Sequence, residues 1–311
     1  MIEKGVPEIS KLKKVIWLVS MACLCVALYS VVISRKDASL QDVIFGGSDS
    51  VYVGMEKVSR HDPNAEVIVE DDGLDWPEID EDEIALPQYT VVNADNLLSS
   101  AYAPDLACEP VLDKEGNPTF DEKGNPVTKT IPIYGTRYQM FEATAKPYLD
   151  KMLADMEEAG FTPYIASSYR TYSYQSQLFN TKATGIYMEM GYAAADWASE
   201  EYQMAAEIAK KYTAQPGASE HQLALAVDIW DRQRQRLNSY TDLDENFRNW
   251  LENHSWEYGF IQRYPTKKCL LTGWDEPWHY RYVGVKAAKF IKENDICYEE
   301  FYQHYVPNFK F

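Results

Sequence analysis

Cysteine and histidine are both scarce, each occurring five times in 311 residues. Cys23 and Cys25 lie inside an apolar run, which leaves Cys108, Cys269 and Cys297. Three thiols allow at most one disulfide, so a packed core must hold the fold. Basic residues are also short, with 30 Lys and Arg against 48 Asp and Glu, a formal charge of −18. Phosphate binding needs a basic face, so a nucleic-acid partner is excluded. The helical H-E-x-x-H metal motif is missing. Long apolar runs are missing too, with one exception.

That exception is Val15 to Ser34, which carries no charge. At about 1.5 Å per residue it can cross a hydrocarbon core of about 30 Å. Lys11, Lys13 and Lys14 precede it and favour a cytoplasmic N-terminus. The run is long for the core of a signal peptide, and no small-x-small cleavage pattern follows it. Residues 1–14 therefore read as a cytoplasmic tail and 15–34 as a single transmembrane signal anchor. Residues 35–88 read as an extracellular stalk. From Glu70 to Glu83 acids are frequent and Lys and Arg absent, a composition that solvates and repels itself.

Residues 89–311 have the periodicities of a folded domain. Leu149, Met152, Leu153 and Met156 form a helical stripe that Gly160 ends. Phe161 to Ala166 reads as a short strand delivering Ser167-Ser-Tyr-Arg170 to its end. A helix from Tyr172 to Lys182 carries Gln175. Another runs from about Ser199 to Tyr212, with Ala205, Ile208, Ala209 and Tyr212 inward, until Gln215-Pro-Gly217 breaks it. The stripe Phe247, Trp250, Leu251, His254 puts His254 in a core-facing slot. A last helix is expected over about Val285 to Asn294. Two Gly-Asn-Pro turns, at 116–118 and 124–126, predict a hairpin or an exposed loop.

The chemistry concentrates in two stretches, Ser219-Glu-His-Gln-Leu-Ala-Leu-Ala-Val-Asp228 and Glu276-Pro-Trp-His279. Two histidines, an aspartate and a spare glutamate are the components of a hydrolytic zinc site: three protein ligands, an open position for water and a base beside it. His221 and Asp228 are seven residues apart. On one helix that is about 10 Å along the axis, too far for one ion with ligands at about 2 Å. Leu223, Leu225, Val227 and Ile229 alternate with small or polar residues, so a loop carrying His221 should turn into a strand carrying Asp228. Pro277 biases Glu276 toward an extended conformation, and Tyr280 to Gly284 reads as a strand. His61 and His304 have no ligand-like neighbours in sequence.

Three ordered motifs carry a family resemblance: Ser168-Tyr-Arg-Thr-Tyr-Ser-Tyr-Gln175, Pro216-Gly-Ala-Ser-Glu-His-Gln222 through Asp228, and Glu276-Pro-Trp-His-Tyr-Arg-Tyr-Val-Gly284. From about Val91 onward the chain resembles the VanY family of D-alanyl-D-alanine carboxypeptidases, within a larger group of zinc peptidases. The resemblance implies an α+β domain, with a small, mainly antiparallel sheet and packed helices. It implies one zinc ion held by His221, Asp228 and His279, with Glu276 as general base and Arg170 as the cation beside the oxyanion. Arg170, Gln175 and Ser219 would line the substrate site. Ala224 stands where the family usually has Gly, and a left-handed backbone there would carry strain.

The expected function is a membrane-anchored, zinc-dependent enzyme of the bacterial cell surface that removes the C-terminal D-alanine from peptidoglycan stem peptides. Its catalytic domain would face the wall. The same site could instead act as an L,D-carboxypeptidase or an endopeptidase on those stems. A non-catalytic wall-binding or sensory domain is the rival outside enzymes, and the intact ligand set with Glu276 argues against it.

Overall fold

The computed structural model describes residues 50–53, 56–59 and 73–311, apart from 194–195, 232–243, 308 and 310–311. The expected tail and anchor, and much of the expected stalk, lie outside the described residues. Among those described, no helix is long and apolar enough to cross a membrane. The chain divides into two units, Met1–Asp72 and Gly73–Phe311. In the first, β1 (Ser50–Val53) pairs antiparallel with β2 (Glu56–Ser59).

The second unit is an α+β fold built on one four-stranded antiparallel sheet. Its strands are β5 (Pro163–Ser167), β6 (Ala226–Asp231), β7 (Phe260–Tyr264) and β8 (Glu276–Tyr282), in the order β5-β6-β8-β7. Side chains alternate faces along a strand, so the register sorts them. Val227 lies opposite Tyr280 and Phe260 opposite Tyr282, and these residues join Ile229 in the main core. The register partners next to them, Asp228 with His279 and Ala226 with Arg281, fall on the other face. One face of the sheet thus packs apolar side chains while the other carries the ionisable ones.

The long helix α2 (Lys146–Glu158) buries Leu149, Met152, Leu153 and Met156 in that main core, as the stripe predicts. Helix α3 (Tyr172–Glu189) runs past the expected end at Lys182. It packs on α4 (Glu200–Ala209) through Phe179, Ala183, Ala205 and Ala209. Because α4 stops at Ala209, Tyr212 falls outside the stripe. It is exposed, and Lys182 Nζ lies 4.5 Å above its ring. His254 ends α5 (Glu245–His254) and is likewise not in the core: its Nδ1 bonds Glu257 Oε1 at 2.9 Å on the surface.

After the short α6 (Cys269–Thr272), α7 (Val285–Glu293) is followed by a further helix that was not among those expected, α8 (Tyr298–Tyr305). These last two helices form a second core from Phe290, Ile291, Tyr298 and Phe301, with Tyr89, Val91 and Ile261. Leu74, Trp76, Ile79 and Ile84, the last residue of the short α1 (Glu81–Ile84), pack against it, and Trp76 stacks on His304 at 3.7 Å. The folded unit therefore begins at Gly73, sixteen residues before the expected boundary at 89. The acids of this segment face solvent while its few apolar side chains dock. The paired strands β3 (Cys108–Pro110) and β4 (Thr128–Thr130) are exposed, and bridges join Leu112 to Pro118 and Phe120 to Pro126, so both Gly-Asn-Pro turns lie in exposed loops. Cys108, Cys269 and Cys297 are all free thiols.

Two backbone positions shape the approach to the site. Ala224 ends a 3-10 turn, Glu220–Leu223, in the left-handed region at φ 59° and ψ 24°. An L-residue there carries strain of about 1–2 kcal/mol, which buried neighbours hold in place. Gly217 has φ +87°, and a Cβ added there would sit 2.7 Å from the Leu98 carbonyl oxygen. That carbonyl's own residue donates its N–H to the Gly217 oxygen at 2.8 Å. Gly217→Ala should therefore lower the unfolding free energy by at least about 1–2 kcal/mol from φ alone. A urea titration showing wild-type stability would contradict this close approach.

Candidate metal centre

The register of β6 against β8 puts Asp228 directly beside His279 on one face of the sheet. His221 arrives from the 3-10 turn that precedes β6. The three side chains are buried, and each offers one ligand atom within 4.8 Å of the other two. His221 Nε2 is 3.3 Å from Asp228 Oδ2, and His279 Nδ1 is 3.0 Å from Asp228 Oδ1. Two ligands each about 2 Å from a tetrahedral ion lie about 3.3 Å apart, so these spacings suit zinc. The remaining ring nitrogens are also fixed. His221 Nδ1 lies 2.7 Å from the Ser168 carbonyl oxygen, and His279 Nε2 lies 3.3 Å from Glu220 Oε2. An oxygen acceptor behind each imidazole is the usual support of a metal-bound histidine.

Glu276 opens β8, with Oε2 3.8 Å from His279 Nδ1. Its side chain is 28% exposed, the most open of the four groups, and burial raises its carboxyl above the usual range. A base for this site needs both properties: reach to water, and affinity for a proton near neutral pH. Burial alone would also raise Asp228, but the two histidines hold it well below the usual range. Burial and nearby Arg170 push His221 down to about 4, which keeps it neutral and able to donate a lone pair. Burial opposes charge on His279, yet its bonds to Asp228 and Glu220 win and push it up to about 9.

Arg170 follows β5 and reaches the same cluster. Its guanidinium donates to Asp228 Oδ2 at 3.1 Å, to Ser167 Oγ at 2.7 Å and to Gln175 Oε1 at 3.4 Å. Thr171 caps α3, and that helix supplies Gln175, whose amide also donates to the Ala214 carbonyl at 2.7 Å. Gln175 is 1% exposed and both ends of its amide are engaged, so it braces Arg170. Ser219 is buried at the start of the 3-10 turn. No polar side-chain contact ties it to the cluster among the described residues. Cys269 lies on α6, outside this set of groups.

The residues behind the trio carry little sign of their place in the sequence. Glu220 was visible only as a neighbour of His221. Arg281 was visible only as part of the 276–284 motif, and Arg263 and Glu299 gave no signal, because these residues come from β8, β7 and α8 and meet only in the folded chain.

Residues 139–285 match the VanY family model, described as D-alanyl-D-alanine carboxypeptidase. The chain is 37% identical over 156 residues to a D-alanyl-D-alanine carboxypeptidase of Enterococcus faecalis, covering 50% of this chain and 53% of that protein. It is 31% identical over 201 residues to the YodJ protein of Bacillus subtilis, covering 60% of this chain and 65% of that one. The chain thus spans between half and two thirds of the length of these relatives. Among solved structures it is similar to LdcB, an LD-carboxypeptidase described for its peptidoglycan recognition. That match has a TM-score of 0.52 and 27% identity, and covers 74% of this chain and 93% of that chain.

The doubly bonded His279 sets a pH dependence in the metal-free chain. Its pKa rises from 6.5 to about 9 on folding, so over that interval the native state holds a proton that the unfolded state lacks. Stability must then fall as pH rises from about 6.5 through about 9, and Glu276, also raised, acts in the same direction. Melting temperatures in the presence of chelator should decline across this window. A flat profile would show that His279 is not protonated between its two carboxylates.

Proposed function

We propose that this chain, whose residues 139–285 match the VanY family model, is a zinc-dependent carboxypeptidase of that family, removing the C-terminal D-alanine from peptidoglycan stem peptides. The observation that carries the proposal is the buried trio His221, Asp228 and His279 with Glu276 free beside it.

In this reading the trio holds one zinc ion. Bound there, zinc supplies a water of lowered pKa and a positive charge at the scissile carbonyl. Glu276 takes the proton of the attacking water and returns it to the leaving amine, a role its half-open position and raised pKa support. Arg170 offers its positive charge to the oxygen that becomes negative. Bonds to Ser167, Gln175 and Asp228 hold it in advance, so little reorganisation is needed. The braced amide of Gln175 acts mainly through Arg170. Ser219 contributes the wall of the turn that carries His221. The trio and Glu276 gather around the β6–β8 pair, and Arg170 reaches them from the end of β5 on the other side of β6, so the stem peptide would approach the Glu276 and Arg170 side.

Cell-surface placement belongs to the same proposal. The apolar run at 15–34, with lysines before it, supports an anchor in the bacterial membrane with the domain on the wall side. The similarity to LdcB favours a second reading, removal of a D-residue from an L,D bond in a shorter stem.

Purified full-length chain loaded with zinc and given defined muropeptides should release D-alanine, read by product mass spectrometry. Chelator should abolish release and added zinc restore it. Glu276→Gln should lower kcat by about 10²–10⁴-fold, the range expected for a lost general base, while zinc stays bound. Release from a pentapeptide stem supports the D,D reading and release from a tetrapeptide stem the L,D reading. No release from either would reject both.

A further inference from the structure

Behind His279 the fold buries four charges in one chain of contacts. Glu220 Oε2 faces His279 Nε2 at 3.3 Å. Its other oxygen, Oε1, accepts from Arg263 Nε at 2.8 Å. Arg281 NH1 lies 3.2 Å from that same oxygen, a charge contact that lacks hydrogen-bond geometry. Arg263 turns its remaining two nitrogens to Glu299 on α8, with NH1 to Oε2 at 2.9 Å and NH2 to Oε1 at 2.7 Å. The Glu220 and Arg281 side chains are fully buried, and Arg263 is 2% exposed. Two arginines and two glutamates balance, so the cluster as a whole is neutral.

Such a cluster is costly to bury, and apolar side chains of similar volume would often serve stability as well. Its geometry suggests a different use. Arg263 has a planar fork able to grip a carboxylate with two parallel bonds. Glu299 occupies that fork, so Arg263 can give Glu220 only its Nε, and only at Oε1. Oε2 is thereby left for His279. Without Glu299 the fork could turn onto Glu220 and draw Oε2 away from the imidazole.

We propose that Glu299 and Arg263 are positioning residues for the metal centre, acting through Glu220 to orient His279 and strengthen it as a ligand. The C-terminal helix then sets metal affinity, although none of its side chains belongs to the ligand trio. The inference rests on His279 being a zinc ligand, as in the proposed function. Arg281 extends the same support toward the N-terminal lead-in. Its NH2 donates to the carbonyl oxygens of Pro87, Gln88 and Thr90 at 3.3, 3.2 and 3.1 Å.

The test measures zinc affinity of the full chain by competition with a chromophoric chelator, with the metal-free melting temperature recorded separately. Glu220→Gln should weaken zinc about 100-fold and Glu299→Gln about tenfold, the range seen when a partner behind a ligating histidine is lost. Since Glu299 acts through Glu220, the double variant should bind no worse than Glu220→Gln alone. The visible spectrum of the cobalt-substituted chain should shift in Glu299→Gln, which a purely structural role would leave unchanged. Arg263→Lys keeps the charge but loses the fork, so it should also lose about tenfold and covers the case where Glu299→Gln fails to fold. Wild-type zinc affinity in the folded variants, or losses that multiply in the double variant, would overturn the relay while leaving the zinc reading intact. A wild-type chain that binds no zinc would overturn both.

Discussion

Asp228 sits opposite His279 because β6 and β8 pair in one register, and the site depends on that pairing. A sheet has a side-chain period of two, so a slip by one residue would turn one of the two side chains into the apolar core. The same slip would bring Val227 or Tyr280 out of that core. Hydrophobic burial on one face therefore enforces metal-type geometry on the other. This is a strong constraint, because several large side chains are at stake in it.

The second constraint is electrostatic. Burying charge without partners is prohibitive, so the two most buried carboxylates of the site are each answered by several cationic or histidine partners. Asp228 is shared among His221, His279 and Arg170. Glu220 is shared among His279, Arg263 and Arg281. The aromatic core under α7 and α8 packs around these pairs, and Arg263 lies 5.0 Å from the Tyr298 ring. The C-terminal helices, with the segment around Trp76 docked on them, therefore pack directly against the charge pairs behind His279.

Much of this was legible in the chain itself, for identifiable reasons. His221 before a strand, Asp228 on it and Glu276 in an extended segment follow from alternation and from Pro277. The α2 stripe was plain because four large apolar residues repeat at helical spacing. His254 and Tyr212 were misplaced for one reason: each lies at or just beyond a helix end, where the stripe no longer meets the core. The start of the folded unit was set too late because the acids around Trp76 hid a few anchoring apolar side chains. Helix α8 was legible too, since Tyr298, Phe301, Tyr302 and Tyr305 repeat at helical spacing and pack on one core, but the expected helices stopped at Asn294.

By itself the sequence determined which groups could do the chemistry: two histidines, one aspartate and one free glutamate in motifs of a known family, on a strongly acidic chain. It also determined that they could not sit on one helix, since spacing alone forbids it. Tertiary structure alone decided what stands behind those groups. Glu220, Arg263, Arg281 and Glu299 come from four separate elements and share no local pattern. Buried charges find partners across space, where composition and periodicity carry no information.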